Sequence, residues 1–344
     1  MGHEVTWIPI YRTSMYNYYE KLVRLLNKFN SKQIDITHST IGAKLQSDSI
    51  KMDLVEKCDI LFAPFCSEAL YSLNTTKPII YLSDATFAAM AGYYFKGLSK
   101  RSVAQGNKIE QTALEKSAAV ILSSEWAKRS AVNDYHQNPE KVHVIEFGAN
   151  IDDKDIIEKQ YSYSGHLDIL FLGVDWKRKG GQLAVDTCKW LNENGVPSTI
   201  HIVGISELDE STKSLPYVDY VGFLNKNVPE EYNKLVEVIE KCQLMLLPTV
   251  AECAGIAFCE ASAYGLPVFS HITGGTQNYV FDGKNGYLLP LGSSPSDFGK
   301  KIKGCLESGE LEHISKTAKD VYCERLNWKI WREKVKSVIA QIYE

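Results

Sequence analysis

The sequence predicts an α/β protein with two doubly wound domains, each built on a parallel β-sheet. The chain has 344 residues, more than one hydrophobic core usually accommodates, and 44% of them are hydrophobic. Short apolar runs rich in β-branched residues alternate with amphipathic stretches of helical length, a pattern typical of strands and helices around parallel sheets. We therefore expect two cores, one in each half of the chain.

The apolar runs are the predicted strands. In the first half they are Glu4–Ile8, Ile60–Ala63, Pro78–Leu82, Ala119–Ser123 and Val142–Phe147. In the second half they are Asp168–Leu172, Thr199–Val203, Val218–Val221, Leu244–Leu247, Pro267–Ser270 and Gly286–Leu288. A polar, charged segment separates the two sets, so we expect domains over 1–150 and 151–325. The amphipathic stretch 326–344, with two tryptophans, predicts a final helix that packs back toward the first domain.

Composition and charge limit the classes of protein to which this chain can belong. The net charge of −4 excludes a strongly basic nucleic-acid binder. The sequence has no apolar run of about 18 residues and no signal-peptide pattern at its start, which favours a cytoplasmic protein. Its eight cysteines form no C-x-x-C pair, so reduced thiols are expected. The aromatic and basic segment 93–101 predicts either a solvated helix end or a peripheral contact with the inner face of a membrane.

The segment 248–267 carries the clearest functional pattern. It directly follows the predicted strand Leu244–Leu247, so it lies at the carboxyl end of a parallel strand, where open α/β sheets bind ligands. Gly255 opens a predicted helix whose free N–H groups and dipole suit a diphosphate. Glu252 precedes this helix and Glu260 lies about two turns into it. The two carboxylates can therefore contact different parts of one extended ligand, such as a sugar nucleotide.

These residues resemble a known family. Two glutamates separated by seven residues and followed by Ala-x-Ala-Tyr-Gly-Leu-Pro resemble the E-x7-E motif of glycosyltransferase family 4. Gly274-Gly275-Thr276 and the segment 282–290 resemble further elements of that family, in the same order. The resemblance covers nearly the whole chain. It implies the GT-B fold, in which two Rossmann-like domains face a central cleft.

The resemblance also implies a reaction. The chain would be a retaining glycosyltransferase that moves a sugar from a nucleotide-diphosphate donor, with a UDP- or GDP-sugar expected, to a glycan, lipid-linked or protein acceptor. No cofactor beyond this donor substrate is implied. The aspartates form no D-x-D cluster, so we expect catalysis without a metal ion. The acceptor hydroxyl would attack on the face from which the diphosphate leaves.

The resemblance assigns roles to individual positions. Glu252 would lie beside the donor sugar, and Glu260 would accept hydrogen bonds from the ribose hydroxyls. Backbone amides at the start of the predicted helix would bind sugar and phosphate oxygens, and two strand ends would hold the base. These backbone positions are Gly255, Ile256, Ala257, Gly204, Gly222 and Phe223.

A second strand-to-helix turn, 171–181, supplies the predicted cations. Family members carry an arginine after the first glycine and a lysine five residues later, and both neutralise the donor diphosphate. Lys179 matches the lysine, but Val174 stands at the arginine position. Arg178 is adjacent, and its planar guanidinium matches phosphate oxygens, so it is the predicted substitute.

In the first domain the resemblance points to Asp84, which follows the predicted strand Pro78–Leu82. It implies a polar contact with the donor sugar near the reacting centre, whereas the local pattern is equally that of an N-cap for the next helix. The segment 123–126 is predicted first as a strand end and helix cap, and second as an acceptor contact.

The beginning of the sequence leaves two other functions open. Family 4 enzymes begin with a strand, a Gly-rich loop and a helix, followed by a G-H-x-V strand, which Gly2–Val5 resembles. The expected first domain therefore lacks the usual initial strand, loop and helix. The chain would then be either an active transferase or an inactive nucleotide-binding paralogue that supports another transferase. A nucleotide-sugar epimerase on the same fold is the further alternative.

Overall fold

The computed structural model describes residues 2–30, 32–152, 154, 156 and 159–343. The chain divides into two compact units, one formed by residues 1–145 together with 332–344 and the other by residues 146–331. Each unit has its own parallel sheet with helices. The α/β class and the two parallel sheets expected from the sequence are confirmed.

The first unit contains a four-stranded parallel sheet in the order β1-β2-β3-β4. Its strands are β1 (Leu61–Pro64), β2 (Ile79–Ser83), β3 (Ala119–Leu122) and β4 (Val142–Val144). Its helices are α1 (Ser14–Asn27), α2 (Thr40–Ser47), α3 (Met52–Val55), α4 (Ser67–Leu70), α5 (Phe87–Met90), α6 (Lys100–Lys116) and α7 (Glu125–Asn133). All five residues of β2 are buried, as are all four of β3, which explains why these strands appear in the sequence as continuous apolar runs.

The predicted strand Glu4–Ile8 is wrong. The described residues 2–12 form no helix or strand, and Val5 and Trp7 are 73% and 86% exposed. The local pattern favours an extended strand, but a strand is stable only when a neighbouring strand satisfies its backbone hydrogen bonds. The sheet of this unit supplies no such neighbour to residues 2–12.

The second unit contains a six-stranded parallel sheet in the order β10-β9-β8-β5-β6-β7. Its strands are β5 (Leu167–Leu172), β6 (Ser198–Val203), β7 (Val218–Gly222), β8 (Leu244–Leu246), β9 (Val268–His271) and β10 (Gly286–Leu289). Its helices are α8 (Gly181–Glu193), α9 (Glu210–Lys213), α10 (Pro229–Lys241), α11 (Ile256–Ala263), α12 (Pro295–Glu307), α13 (Glu310–Glu324) and the first residues of α14 (Trp328–Tyr343). The six strands predicted for this half are confirmed within one or two residues.

The strand order fixes where a ligand can bind in the second unit. From β5 the chain moves to β6 and β7 on one side, then returns to β8 and continues to β9 and β10 on the other. The order therefore reverses between β5 and β8. Open α/β sheets bind ligands beyond the carboxyl ends of the strands at such a switch point. The loops that follow β5 and β8 are the segments in which the sequence predicts donor-binding residues.

A buried carboxyl makes the stability of the first unit depend on pH. Glu110 on α6 is 3% exposed, and the Tyr81 hydroxyl lies 3.3 Å and 3.4 Å from its two oxygens. Burial raises the pKa of Glu110 to about 8. The pKa of Glu110 is higher in the folded chain than in the unfolded chain. The neutral carboxyl therefore contributes its full stabilisation below about pH 4.5. It is lost progressively as the pH rises toward 8.

The substitution Glu110→Gln tests this linkage. The variant is expected to melt several degrees above the wild type at pH 8 and to lose much of the pH dependence of melting between pH 5 and 8, because the amide is neutral throughout. Thermal denaturation across this range measures the effect. Glu115→Gln, at an exposed position of the same helix, is the matched control and should leave the pH dependence unchanged. Equal pH slopes in wild type and Glu110→Gln would contradict the prediction.

Candidate active site

The loops after β5 and β8 touch at the switch point of the second sheet. Gly180 is the last residue before α8 and has a φ of 73°, in the left-handed region that favours glycine. A Cβ at this position would collide with the carbonyl oxygen of Pro248. The Val250 amide also donates to the Arg178 carbonyl over 2.8 Å. The bare glycine thus lets the two loops approach and brings their charged side chains together.

Lys179 and Glu252 form a buried ion pair across these loops. Lys179 is 8% exposed and Glu252 6%, and the ammonium donates a hydrogen bond to Oε2 of the carboxylate. Arg178 Nη1 lies 3.6 Å from the same Oε2 and donates to the Ala251 carbonyl over 3.0 Å. The Arg178 Nε lies 3.6 Å from Asp175 Oδ2. Three side chains that the sequence assigns to the donor therefore form one cluster, with two cations around one carboxylate.

The start of α11 lies at the end of the second loop. Gly255 is its N-cap, and a Cβ there would collide with the Phe258 ring. The Ile256 amide donates to the Ala254 carbonyl over 3.1 Å, so it is already engaged within the loop. Among the described residues, the Gly255 and Ala257 amides have no acceptor. These two amides are free to bind an anion, and the helix dipole favours one there.

Glu260 is the fifth residue of α11, so it lies just over one turn into the helix and not the two turns expected from the sequence, and it is 5% exposed. Lys226 Nζ lies 2.5 Å from its Oε1, and the Asn150 backbone amide also hydrogen-bonds the carboxylate. Burial raises the pKa of Glu260, and the Lys226 ammonium opposes that rise. Sequence reasoning missed Lys226. The sequence indicates only that Lys226 lies four residues after Gly222 in a polar loop. A solvated lysine would have the same sequence pattern there.

The predicted base-binding positions lie at the carboxyl ends of β6 and β7. Gly204 has a φ of 95°, and a Cβ there would lie 2.6 Å from the Gly173 carbonyl oxygen. Its amide donates to the Gly222 carbonyl over 2.8 Å. Gly222 ends β7 with a φ of 86°, and Phe223, which follows it, is 54% exposed. These residues share the sheet edge that carries the charged cluster. Their contact with a base stays a prediction.

Asp84 lies in the first unit, in the turn after β2. Its backbone carbonyl accepts a hydrogen bond from the Ser123 hydroxyl over 2.7 Å. The alternative role as an N-cap is wrong, because Thr86 caps α5 with its own side chain. Ser124 caps α7, as the sequence predicts for that segment. The predicted contact between Asp84 and a donor sugar stays a prediction.

The remaining motif elements support the loop and helix of the site. The Gly275 amide donates to the Glu252 carbonyl over 2.9 Å. Asn285 is fully buried and donates to the Ser262 hydroxyl over 3.0 Å and to the Tyr279 carbonyl over 2.8 Å. These bonds tie the turn after β9 and the turn before β10 to the elements that carry the two glutamates.

In the part of the chain that the structure describes, no helix is both long and apolar enough to cross a membrane. Within that same part, no group of three or more His, Cys, Asp or Glu side chains is arranged to hold a metal ion.

The second unit is similar in sequence to a known family of enzymes. Residues 152–321 match the family model of group 1 glycosyl transferases. The D-inositol 3-phosphate glycosyltransferase of Corynebacterium diphtheriae is 22% identical over 76% of this chain and 64% of its own length. The putative colanic acid biosynthesis glycosyltransferase WcaL of Salmonella typhimurium is 24% identical over 60% of this chain and 53% of its own length. The chain thus spans about half to two thirds of the length of these relatives.

Solved structures share the fold of most of the chain. HepE of Anabaena, crystallised with UDP, superposes with a TM-score of 0.66 at 17% identity and covers 84% of this chain and 80% of its own. Sucrose-phosphate synthase of Thermosynechococcus elongatus superposes with a TM-score of 0.67 at 15% identity, over 88% and 79% of the two chains. The GT-B fold predicted from the sequence is confirmed, whereas membership of family 4 stays a prediction. Residues 152–321 carry the sequence pattern of group 1 glycosyl transferases, and together with these relatives they support a glycosyltransferase.

Proposed function

We propose that the chain is a retaining family 4 glycosyltransferase that moves a sugar from a nucleotide-diphosphate donor to an acceptor hydroxyl in glycan biosynthesis. The observation that carries the proposal is the cluster of Lys179, Arg178 and Glu252 beside the start of α11. It combines fixed cations, amides without an acceptor among the described residues and a carboxylate at the switch point of a parallel sheet. A donor with a diphosphate and a polar sugar matches that combination.

We assign the binding of the diphosphate to the two cations and to the start of α11. Lys179 and Arg178 would bind its oxygens, and the Gly255 and Ala257 amides would add hydrogen bonds along the dipole of α11. In the structure the Glu252 carboxylate contacts both cations. Donor binding would replace part of that contact, leaving the carboxylate beside the sugar. HepE of Anabaena, which has the same fold, has been crystallised with UDP and with UDP-glucose, which supports a UDP-sugar as the first donor to test.

The mechanism follows from the charge that develops during the reaction. As the bond between the sugar and the diphosphate breaks, negative charge would grow on the leaving oxygen, and Lys179 would stabilise that charge. The acceptor hydroxyl would enter on the same face and pass its proton to the departing diphosphate. The protein would contribute positioning and electrostatic stabilisation. Because Lys179 and Arg178 supply the positive charge, we propose that transfer needs no metal ion.

The acceptor is proposed to be a glycan, lipid-linked or protein hydroxyl. Among the relatives, WcaL is described for colanic acid biosynthesis, and the corynebacterial enzyme for D-inositol 3-phosphate. Both point to the assembly of glycans or glycosides rather than to their breakdown. We propose that the chain acts in the cytoplasm, with a peripheral membrane contact when the acceptor is lipid-linked.

Donor turnover tests the proposal. Purified protein incubated with UDP-, GDP- and ADP-sugars should release the nucleoside diphosphate from one of them, faster when a glycosyl acceptor is present. Proton NMR of the product should show the anomeric configuration of the donor, and EDTA should leave the rate unchanged. Release of no nucleoside diphosphate despite tight nucleotide binding would favour an inactive paralogue. Conversion of the donor sugar without any transfer would favour an epimerase.

A further inference from the structure

Glu260 is a carboxylate placed almost entirely out of water. It is 5% exposed in α11, and Lys226 Nζ lies 2.5 Å from its Oε1. An isolated ionised carboxylate in such a place is costly, and it usually becomes protonated instead. Lys226 comes from the loop after β7 and is about one third exposed at its side chain. The carboxylate is therefore buried while its cation stays in partial contact with water.

The protonation state of Glu260 decides what it can bind. An ionised carboxylate only accepts hydrogen bonds, and its two oxygens can take one from each hydroxyl of a vicinal diol. A neutral carboxyl has one O–H donor and correspondingly less capacity to accept. Both hydroxyls of a ribose diol would donate to the same carboxyl group, so the ionised form is the one that fits.

We propose that Lys226 is a positioning residue that keeps Glu260 ionised, so that Glu260 can accept hydrogen bonds from the ribose diol of the nucleotide. This inference rests on the proposed function, because it names how the same site recognises its donor. Lys226 acts through Glu260 and is not assigned any contact with the reacting atoms.

Within the part of the chain that the structure describes, the groups that face Glu260 come from three neighbouring segments and its own helix. They are Lys226 after β7, Lys179 in the turn before α8, the Asn150 amide after β4, and Cys259 on α11. Burial raises the pKa of the Cys259 thiol well above its usual range, so this neighbour stays neutral. Burial also raises the pKa of Glu260, and the largest opposing effect is the charge of Lys226. Removing that charge should raise the pKa further.

Binding of UDP at different pH values tests the inference. In calorimetric titrations at pH 7, Lys226→Met should bind UDP more weakly than the wild type. The affinity should fall by about tenfold for each pH unit by which the Glu260 pKa in the variant exceeds the pH. The affinity should recover toward the wild-type value as the pH rises to 9. Lys226→Arg, which keeps the charge, should bind nearly as well as the wild type. Equal or tighter binding by Lys226→Met at pH 7, or the same loss at every pH, would overturn the inference.

A second readout needs no nucleotide. The difference in melting temperature between wild type and Lys226→Met should grow from pH 5 to pH 8, because only an ionised Glu260 needs the cation. The difference should lose its pH dependence when both proteins carry Glu260→Gln. A difference that does not vary with pH would overturn the inference. If the wild type binds no nucleoside diphosphate, the proposed function fails, and this readout still decides what Lys226 does to Glu260.

Discussion

Replacing Lys179 with methionine is expected to lower kcat for sugar transfer by about 100- to 1,000-fold, the usual loss when a preorganised stabiliser of developing negative charge is removed. Lys179 is buried at the switch point of the second sheet, where the surroundings screen its charge little. Methionine keeps the length and much of the volume of the side chain. Steady-state kinetics with the donor identified by turnover measure the effect, with KM for the donor expected to change less than kcat.

The control for Lys179→Met must separate chemistry from stability. The lysine neutralises the buried carboxylate of Glu252, and breaking a buried ion pair from one side costs about 3–5 kcal/mol. The double variant Lys179→Met/Glu252→Gln removes both charges and should recover much of that stability while remaining poorly active. Lys179→Arg should retain more activity than Lys179→Met. A fully active Lys179→Met protein would show that the cation does not serve the leaving diphosphate.

Replacing Gly180 with alanine is expected to destabilise the second unit by about 3 kcal/mol. A non-glycine residue at a positive φ costs about 1–2 kcal/mol, and the new Cβ would also collide with the Pro248 carbonyl oxygen. Because the collision involves the backbone of both loops, it can be removed only if the loops after β5 and β8 move apart. Such a movement would also separate Lys179 from Glu252. Urea denaturation gives the stability, and calorimetry gives the accompanying loss of nucleotide binding.

Gly195→Ala is the matched control for Gly180→Ala. Gly195 lies in the same unit and has a φ of 80°, but a Cβ there meets nothing within 4 Å. It should therefore cost about 1 kcal/mol, from backbone strain alone, and leave nucleotide binding intact. If the two variants lost the same stability and bound nucleotide equally well, the close approach of the two loops would have no role in forming the site.

Most of the sheet structure could be predicted because it depends on local pattern. Strands such as Ala119–Leu122 are continuous apolar runs, because both faces of a strand inside a parallel sheet are buried. The wrong strand, Glu4–Ile8, has a suitable local pattern as well. It lacks a partner strand. Whether two distant segments pair cannot be predicted from the residues of one short run.

The candidate site was predictable where motif and topology agree. Lys179 and Glu252 are 73 residues apart, yet each follows a strand at the same edge of the sheet, so their meeting could be expected. The pair of Lys226 and Glu260 could not, because it depends on how far one loop folds over a buried helix. The capping role considered for Asp84 failed for a smaller reason: a second capping residue, Thr86, lies two positions nearer to the helix.

The proposed function requires that the second unit bind a nucleoside diphosphate through Lys179, Glu252 and Glu260. Calorimetric titration of UDP, GDP and ADP into wild type and Glu260→Ala tests it most directly. We expect saturable binding of one nucleotide, weakened by about tenfold or more in the variant, because two ribose hydroxyls lose a charged acceptor. Binding of none of the three, or equally tight binding to both proteins, would contradict it.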